Sequence, residues 1–303
     1  FSLSEVINYN FIHEHSCDRL NLTADDERRQ LETILNPISD QMSVLRPSMI
    51  PGLLEVMKKN IAQQTSNIRI FEIGKVFRTS GVGKLPHEKE MLAGLLTGSR
   101  SDQTWYSKKS EIDFYDLKGV VEGLLDDLKI QDIMFEKIPD QPPDQSDQSC
   151  PYYKKGYAAF VLSRGTLIGT LGKIDTKVLK NFGLKQDAFI FDFNLDSIRQ
   201  LIPDTLKARS LPKFPSISMD LTIIVDQTIT VGEVQRKLEK LTEKDQLIEQ
   251  IFLFDIFQGA PLTAGKKSLS FRIVYRSETK TLKEKKILKH HQNISRNLIK
   301  EFD

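Results

Sequence analysis

Three groupings of side chains in this sequence have residue types that could bind or react. His13, His15 and Cys17 alternate, so on a strand they would project from one face as three zinc-type ligands. No fourth ligand stands nearby, and the same spacing arises readily in a polar loop, which is the reading we prefer. Asp140, Asp144 and Asp147 could attract a cation. They lie in the run from Pro139 to Gln148, whose prolines and short polar residues have little to bury, so a solvated surface loop is expected. His290 and His291 are adjacent in a helical stretch, where neighbours point about 100° apart. One core-facing and one solvated histidine is therefore expected, not a metal pair.

Common catalytic signatures are missing. The chain has no GxxxxGK[ST] phosphate loop, no GxSxG, no HExxH and no CxxC pair. Cys17 and Cys150 are its two cysteines, too few for a disulfide scaffold and compatible with a reducing compartment. No apolar run approaches the ~20 residues of a bilayer span, so a soluble chain without a membrane partner is expected. The chain opens at Phe1, without an initiator Met or a signal region, and reads as a piece of a longer polypeptide.

Elements that could position a binding surface emerge from periodicity. The 303 residues suffice for two domains, at roughly 100–200 residues each. A boundary is expected near residue 205, where Pro203, Pro212 and Pro215 punctuate a basic stretch. From Thr205 onward there are 18 Lys and Arg against 12 Asp and Glu, although the whole chain carries only +2. That excess is a weak sign of a polyanionic partner, and from charge alone a solvated Lys-rich surface is the preferred reading.

In residues 1–205, β-rich runs (Val6–Ile12, Ile68–Phe77, Met91–Thr97, Ala158–Leu162, Ala188–Phe193) mix with two helical stretches, Ser43–Gln63 and Asp113–Leu128. The irregular order predicts an α+β sheet with helices on one side. Residues 206–303 read as β-α-β-β-α. Strands are expected at Asp220–Val225, Ile251–Phe257 and Ser268–Tyr275. Capping boxes Thr230/Glu233 and Thr281/Glu284 should open the helices. This is a ferredoxin-like (βαββαβ) order whose last strand is missing from the chain.

Seven segments carry a resemblance, in order: LNPISDQMSVLRPSMIPGLLEVMKKN (35–60), IRIFEIGKVF (68–77), DFYDLKGVVEGLL (113–125), FPSISMDLTIIVD (214–226), IFLFDIFQG (251–259), GKKSLSFRIVY (265–275) and TLKEKKI (281–287). Together they resemble the C-terminal portion of bacterial phenylalanyl-tRNA synthetase β subunits. The resemblance implies a class II synthetase-like antiparallel sheet with helices over 1–205, catalytic-like but non-catalytic. It implies a ferredoxin-fold anticodon-binding domain over 206–303. The implied function is scaffold and tRNA anticodon-binding part of phenylalanine-tRNA ligase, an aminoacyl-tRNA synthetase that joins phenylalanine to its tRNA in protein biosynthesis. The implied partners are an α subunit (in a heterotetramer) and phenylalanine tRNA, with no DNA, in the cytoplasm. ATP and magnesium would serve the whole enzyme, and this segment would bind no cofactor.

Residue by residue, the resemblance places anticodon contacts at Asp255, Phe257 and Ser268, and Lys213 or Lys266 is expected to supply any tRNA-phosphate contact of the family Arg that this chain lacks. It places the α-subunit interface around Arg46, Ser48, Phe71 and Glu72. The family's Arg before Asp220 is Met219 here, which removes a charge and every donor. Phe77-Arg78 matches the start of a Phe-Arg-x-Glu strand, but Ser80 takes the Glu position and no GxGxxR occurs. The segment alone is therefore expected to be inactive. Two other readings fit a ferredoxin-like fold, a general RNA-binding module and a small-molecule regulatory module.

Overall fold

The structure is a computed structural model that describes residues 1–39, 42–81, 83–101, 104–106, 108–139, 150–205, 211–243 and 245–302. Most of the Pro139–Gln148 run, including Asp140, Asp144 and Asp147, lies outside the described residues. The chain divides into two compact units, Phe1–Leu206 and Lys207–Asp303.

The first unit contains β1 (Ser4–Glu5), β2 (Phe11–Ile12), α1 (Ser16–Arg19), β3 (Val44–Leu45), α2 (Ile50–Ala62), β4 (Ile68–Arg78) and β5 (His87–Thr97). It continues through α3 (Phe114–Asp127), β6 (Ile133–Lys137), β7 (Tyr153–Ser163), β8 (Thr166–Ile174), α4 (Thr176–Asn181), β9 (Ala188–Asn194) and α5 (Leu195–Leu201). Seven strands form one sheet in the order β1-β4-β5-β9-β8-β7-β6. The short β1–β4 pair is parallel, and the other pairs of this sheet are antiparallel.

Helices cover both faces, which corrects the expectation of one. Leu53, Leu54 and Met57 of α2 and Val178 of α4 pack on one side with Ala93, Leu95 and Ile190. Leu117, Val121 and Leu125 of α3 and Ile198 of α5 pack on the other with Leu92, Leu96, Phe191 and Phe193. The reason is legible in β9, whose Ala-Phe-Ile-Phe-Asp-Phe run is apolar on both faces. A strand of that kind needs a covering layer on each side. Asp113 caps α3 with a reciprocal box through Asp116, which fixes the start of that helix.

The second unit contains β10 (Ile217–Asp226), α6 (Val231–Thr242), β11 (Ile248–Gln258), β12 (Lys266–Tyr275) and α7 (Glu284–Phe302). Its sheet runs β10-β12-β11, antiparallel throughout. Thr230 and Glu233 cap α6 reciprocally. The Thr281/Glu284 box does not open α7 in the way expected, because the helix begins at Glu284 and its first-turn amides bond to the Lys283 carbonyl. Leu221, Ile223, Val225, Leu269, Phe271 and Ile273 meet Val234, Leu238, Ile287, Ile294 and Leu298 in one core. Alternation along β10 and β12 therefore assigns their odd-numbered residues to the helices and their even-numbered residues to the opposite face.

Candidate nucleic-acid interface

That opposite face carries Asp220, Thr222 and Ile224 from β10 and Ser268, Ser270 and Arg272 from β12. In β11 the ladder slips by one residue between Leu253 and Asp255. Before the slip, Leu253 lies opposite core-facing Phe271; after it, Asp255 lies opposite Ser270 and Phe257 opposite Ser268. The slip works as a β-bulge and re-aims the strand. Asp255 and Phe257 consequently share the open face with Ser268, so these three predicted residues are brought together.

Phe257 is 41% exposed and Phe254 46%. Large aromatics on a strand normally build the core, so these two, with Phe252 at 36% exposure opposite Arg272, form a surface suited to flat apolar partners. The guanidinium of Arg272 lies 4.9 Å from the centre of the Phe254 ring. It also donates to both carboxylate oxygens of Asp220, at 2.7 and 2.9 Å, which holds the Asp220 carboxyl below its usual range. Phe254 and Arg272 were not anticipated from the sequence. Phe254 follows core-facing Leu253 and faces out by ordinary alternation, whereas the bulge that brings Asp255 and Phe257 to the same face leaves no compositional trace.

Lys266 sits two residues before Ser268 on the same face and pairs with Asp226 across the ladder at 3.3 Å. Lys213 is exposed in the segment leading into Ile217. Ile217 pairs with Tyr275, seven residues along β12 from Ser268, a distance of about 23 Å at the rise of a strand. Lys213 thus enters from the far end of the sheet. Met219 pairs with Ile273 and packs, half-buried, against the helix-side core. It faces away from Asp255 and Phe257.

His291 is buried, its Nδ1 2.9 Å from the Tyr275 hydroxyl and its Nε2 3.1 Å from the Asp220 carbonyl oxygen. It ties α7 to the back of the sheet. His290 is not simply solvated, because its Nε2 is bonded to the Asp245 carboxylate.

In the first unit, the residues expected near a partner surface point elsewhere. Arg46, Ser48 and Glu72 are buried, and Phe71 is half-buried against the α3 side of the core. Arg46 donates to Glu72 and to the Lys75 carbonyl, and Ser48 accepts the Ile50 amide at the start of α2. A side chain at Gly74 would collide with Arg46, so glycine there leaves room for the guanidinium. Arg78 is engaged by Glu27 at 3.0 Å.

His13, His15 and Cys17 do not share a strand face. Cys17 is in α1, buried, with its thiol against the Arg28 carbonyl, whereas His15 is exposed and His13 half-buried. Burial pushes the Cys17 and Cys150 thiols above their ordinary range. Among the described residues, no group of three His, Cys, Asp or Glu side chains is placed to hold a metal, and no helix is long and apolar enough to cross a membrane.

Comparison with known sequences places these two units. Residues 1–195 match the family described as the phenylalanyl tRNA synthetase beta chain CLM domain, and residues 212–303 match the ferredoxin-fold anticodon binding domain. The phenylalanine–tRNA ligase beta subunit of Desulfotalea psychrophila is 35% identical over 96% of this chain and 36% of its own length. That of Syntrophotalea carbinolica is 35% identical over 98% of this chain and 35% of its own length. The Bacillus subtilis protein of the same name is 31% identical over 96% of this chain and 34% of its own. The chain thus spans about a third of the relatives it matches.

Proposed function

Because the chain belongs to the phenylalanyl-tRNA synthetase β-chain family, we propose that it is the scaffold and anticodon-reading part of a phenylalanine–tRNA ligase. The whole enzyme joins phenylalanine to its tRNA using ATP and magnesium. This chain pairs with an α subunit in the cytoplasm and holds the tRNA. The observation that carries the reading is the convergence of Asp255, Phe257 and Ser268 on the uncovered face of β11 and β12.

The chemistry suits a guanine at the first anticodon position. Its Watson–Crick edge presents N1–H and N2–H₂, and a single carboxylate can accept both, which is the part we assign to Asp255. Phe257 offers a ring for stacking, and the Ser268 hydroxyl, directly across the ladder, supplies a further polar contact. Lys266 and Lys213 contribute positive charge toward phosphates from opposite ends of the sheet.

We read the first unit as a class II-like sheet that has lost adenylate chemistry. Such chemistry needs free cationic groups over the phosphates as charge develops. Here Arg78 is drawn to Glu27, Ser80 replaces the acid, and no GxGxxR strand exists. The residues present do not fit ATP and magnesium, so we derive no step through them. Arg46, Ser48 and Glu72 are read as positioning residues that fix the entry to α2 and the line of β4. Phe71 lies in that same strand. The α subunit would then meet the surface these elements shape.

In the second unit, the outer edge of β10 is where the fourth strand of a βαββαβ fold would pair. A general RNA-binding role also draws on the exposed Phe254 and Phe257. Equal affinity for any tRNA would favour it over an anticodon reader. The direct test is binding of the chain to phenylalanine tRNA against another tRNA, alongside phenylalanine-dependent pyrophosphate exchange. We expect preference for the first tRNA and no exchange. Exchange by the pure chain, free of α subunit, would overturn the inactive-scaffold reading.

A further inference from the structure

The helix side of the second unit holds a groove of about 450 Å³ lined by Leu247, Lys286, Lys289, His290, Asn293 and Arg296. Lys286, Lys289, Asn293 and Arg296 recur at helical spacing, so they form one exposed ridge along α7. From Lys286 to Arg296 that ridge extends about 15 Å at the rise of an α-helix. Lys286, Lys289 and Arg296 enter no ion pair among the described residues.

The groove wall is built. Asp245 accepts the Leu247 amide at 3.0 Å through one carboxylate oxygen, and its other oxygen is bonded to His290. That carboxylate thus holds one bond on each oxygen and pins the turn before β11 against α7. The apolar stripe of α7, Ile287, His291, Ile294 and Leu298, is buried in the core, and the exposed Leu288 and Ile299 are separated by polar Gln292 and Ser295. A helix whose exposed apolar residues form no continuous stripe has little to bury in a lipid surface. What the ridge offers is a row of uncompensated cations, which suits a chain of phosphates.

We propose that this groove binds the sugar–phosphate backbone of RNA, as a second contact separate from the base-reading face. The two surfaces lie on opposite sides of the sheet. Leu247 precedes β11, whereas Phe257 stands near its far end, ten residues on, about 33 Å along the strand. The backbone contact is blind to sequence, so it adds affinity without base preference. This deepens the reading of the chain as a tRNA binder and rests on it.

The test compares the chain with its Lys286→Ala/Lys289→Ala/Arg296→Ala variant, using phenylalanine tRNA and the same tRNA with its first anticodon base changed. Circular dichroism first establishes that the variant is folded, and a Lys286→Arg/Lys289→Arg variant keeps the charge. Losing three phosphate contacts should lower the slope of log affinity against log salt by about 2–3. Base preference should stay as in the parent, and the arginine variant should keep the parental slope. If the slope falls while Asp255→Asn leaves base preference untouched, the groove stands and the sheet reading fails. An unchanged slope in the folded triple variant overturns the groove, whatever the sheet variants do.

Discussion

Arg46 and Glu72 form an ion pair of 2.8 Å inside the first unit, with side chains only 3% and 2% exposed. Asn8 completes the arrangement by donating its backbone amide and its side-chain amide to the two oxygens of Glu72, at 3.1 and 2.7 Å. The pair thus links the N-terminal segment, the loop before α2 and strand β4. Burial makes such a pair costly to break, because the remaining charge has no water to replace its partner.

Glu72→Leu should therefore destabilise the first unit by about 3–5 kcal/mol, measured by urea unfolding. Arg46→Met combined with Glu72→Leu should recover much of that loss, since no orphaned charge remains. A single variant of parental stability would show that the pair is not buried as described.

Asp192 makes a second test, through pH. Its Oδ1 is buried without a hydrogen-bond partner among the described residues, and burial pushes the carboxyl up to about 6 from an ordinary value of 3.8. Arg28 and Arg46 oppose that shift only in part. Between pH ~4 and ~6 the folded chain holds a proton that the unfolded chain has released. Stability must then fall as pH rises through this window, by up to about 1.4 kcal/mol per unit, and level off above it. Asp192→Asn, a neutral stand-in for the protonated acid, should remove this component. Identical pH profiles for the two proteins would contradict it.

Position 219 tests the facing of the second sheet. An arginine there, as in the family, could bind phosphate only if the position faced RNA, yet Met219 packs on the helix-covered side opposite Ile273. Met219→Arg should leave the salt dependence of tRNA binding as it was. A steeper dependence would mean that the residue reaches RNA.

How far the sequence led can be judged from particular residues. Thr230 with Glu233 announced a helix start, because a capping box is local chemistry, whereas Thr281 with Glu284 did not, since α7 begins at Glu284 itself. Alternation in Asp220–Val225 and Ser268–Tyr275 located the strands that hold Ser268. The two-sided covering of the first sheet was legible in the continuous apolar run of β9, yet irregular element order pointed to one side. That Asp255 and Phe257 share a face with Phe254 was not legible from alternation, since it depends on a one-residue slip against β12. Nor was the inward turn of Arg46 and Glu72, because two opposite charges in separate segments do not reveal that they meet.

The central claim is that Asp255 and Phe257 read the first anticodon base from the open sheet face. Its most direct measurement is the affinity of folded Asp255→Asn and Phe257→Ala proteins for phenylalanine tRNA and for the same tRNA with that guanine replaced by adenine. Phe257→Ala should cost about 1–3 kcal/mol with the guanine-bearing tRNA, the range of one base–aromatic stack. Asp255→Asn should bind the two tRNAs nearly alike, because an amide can offer one donor and one acceptor where the carboxylate only accepts. Parental affinity and undiminished preference for guanine in folded Asp255→Asn would contradict the claim and move the reader elsewhere on the chain.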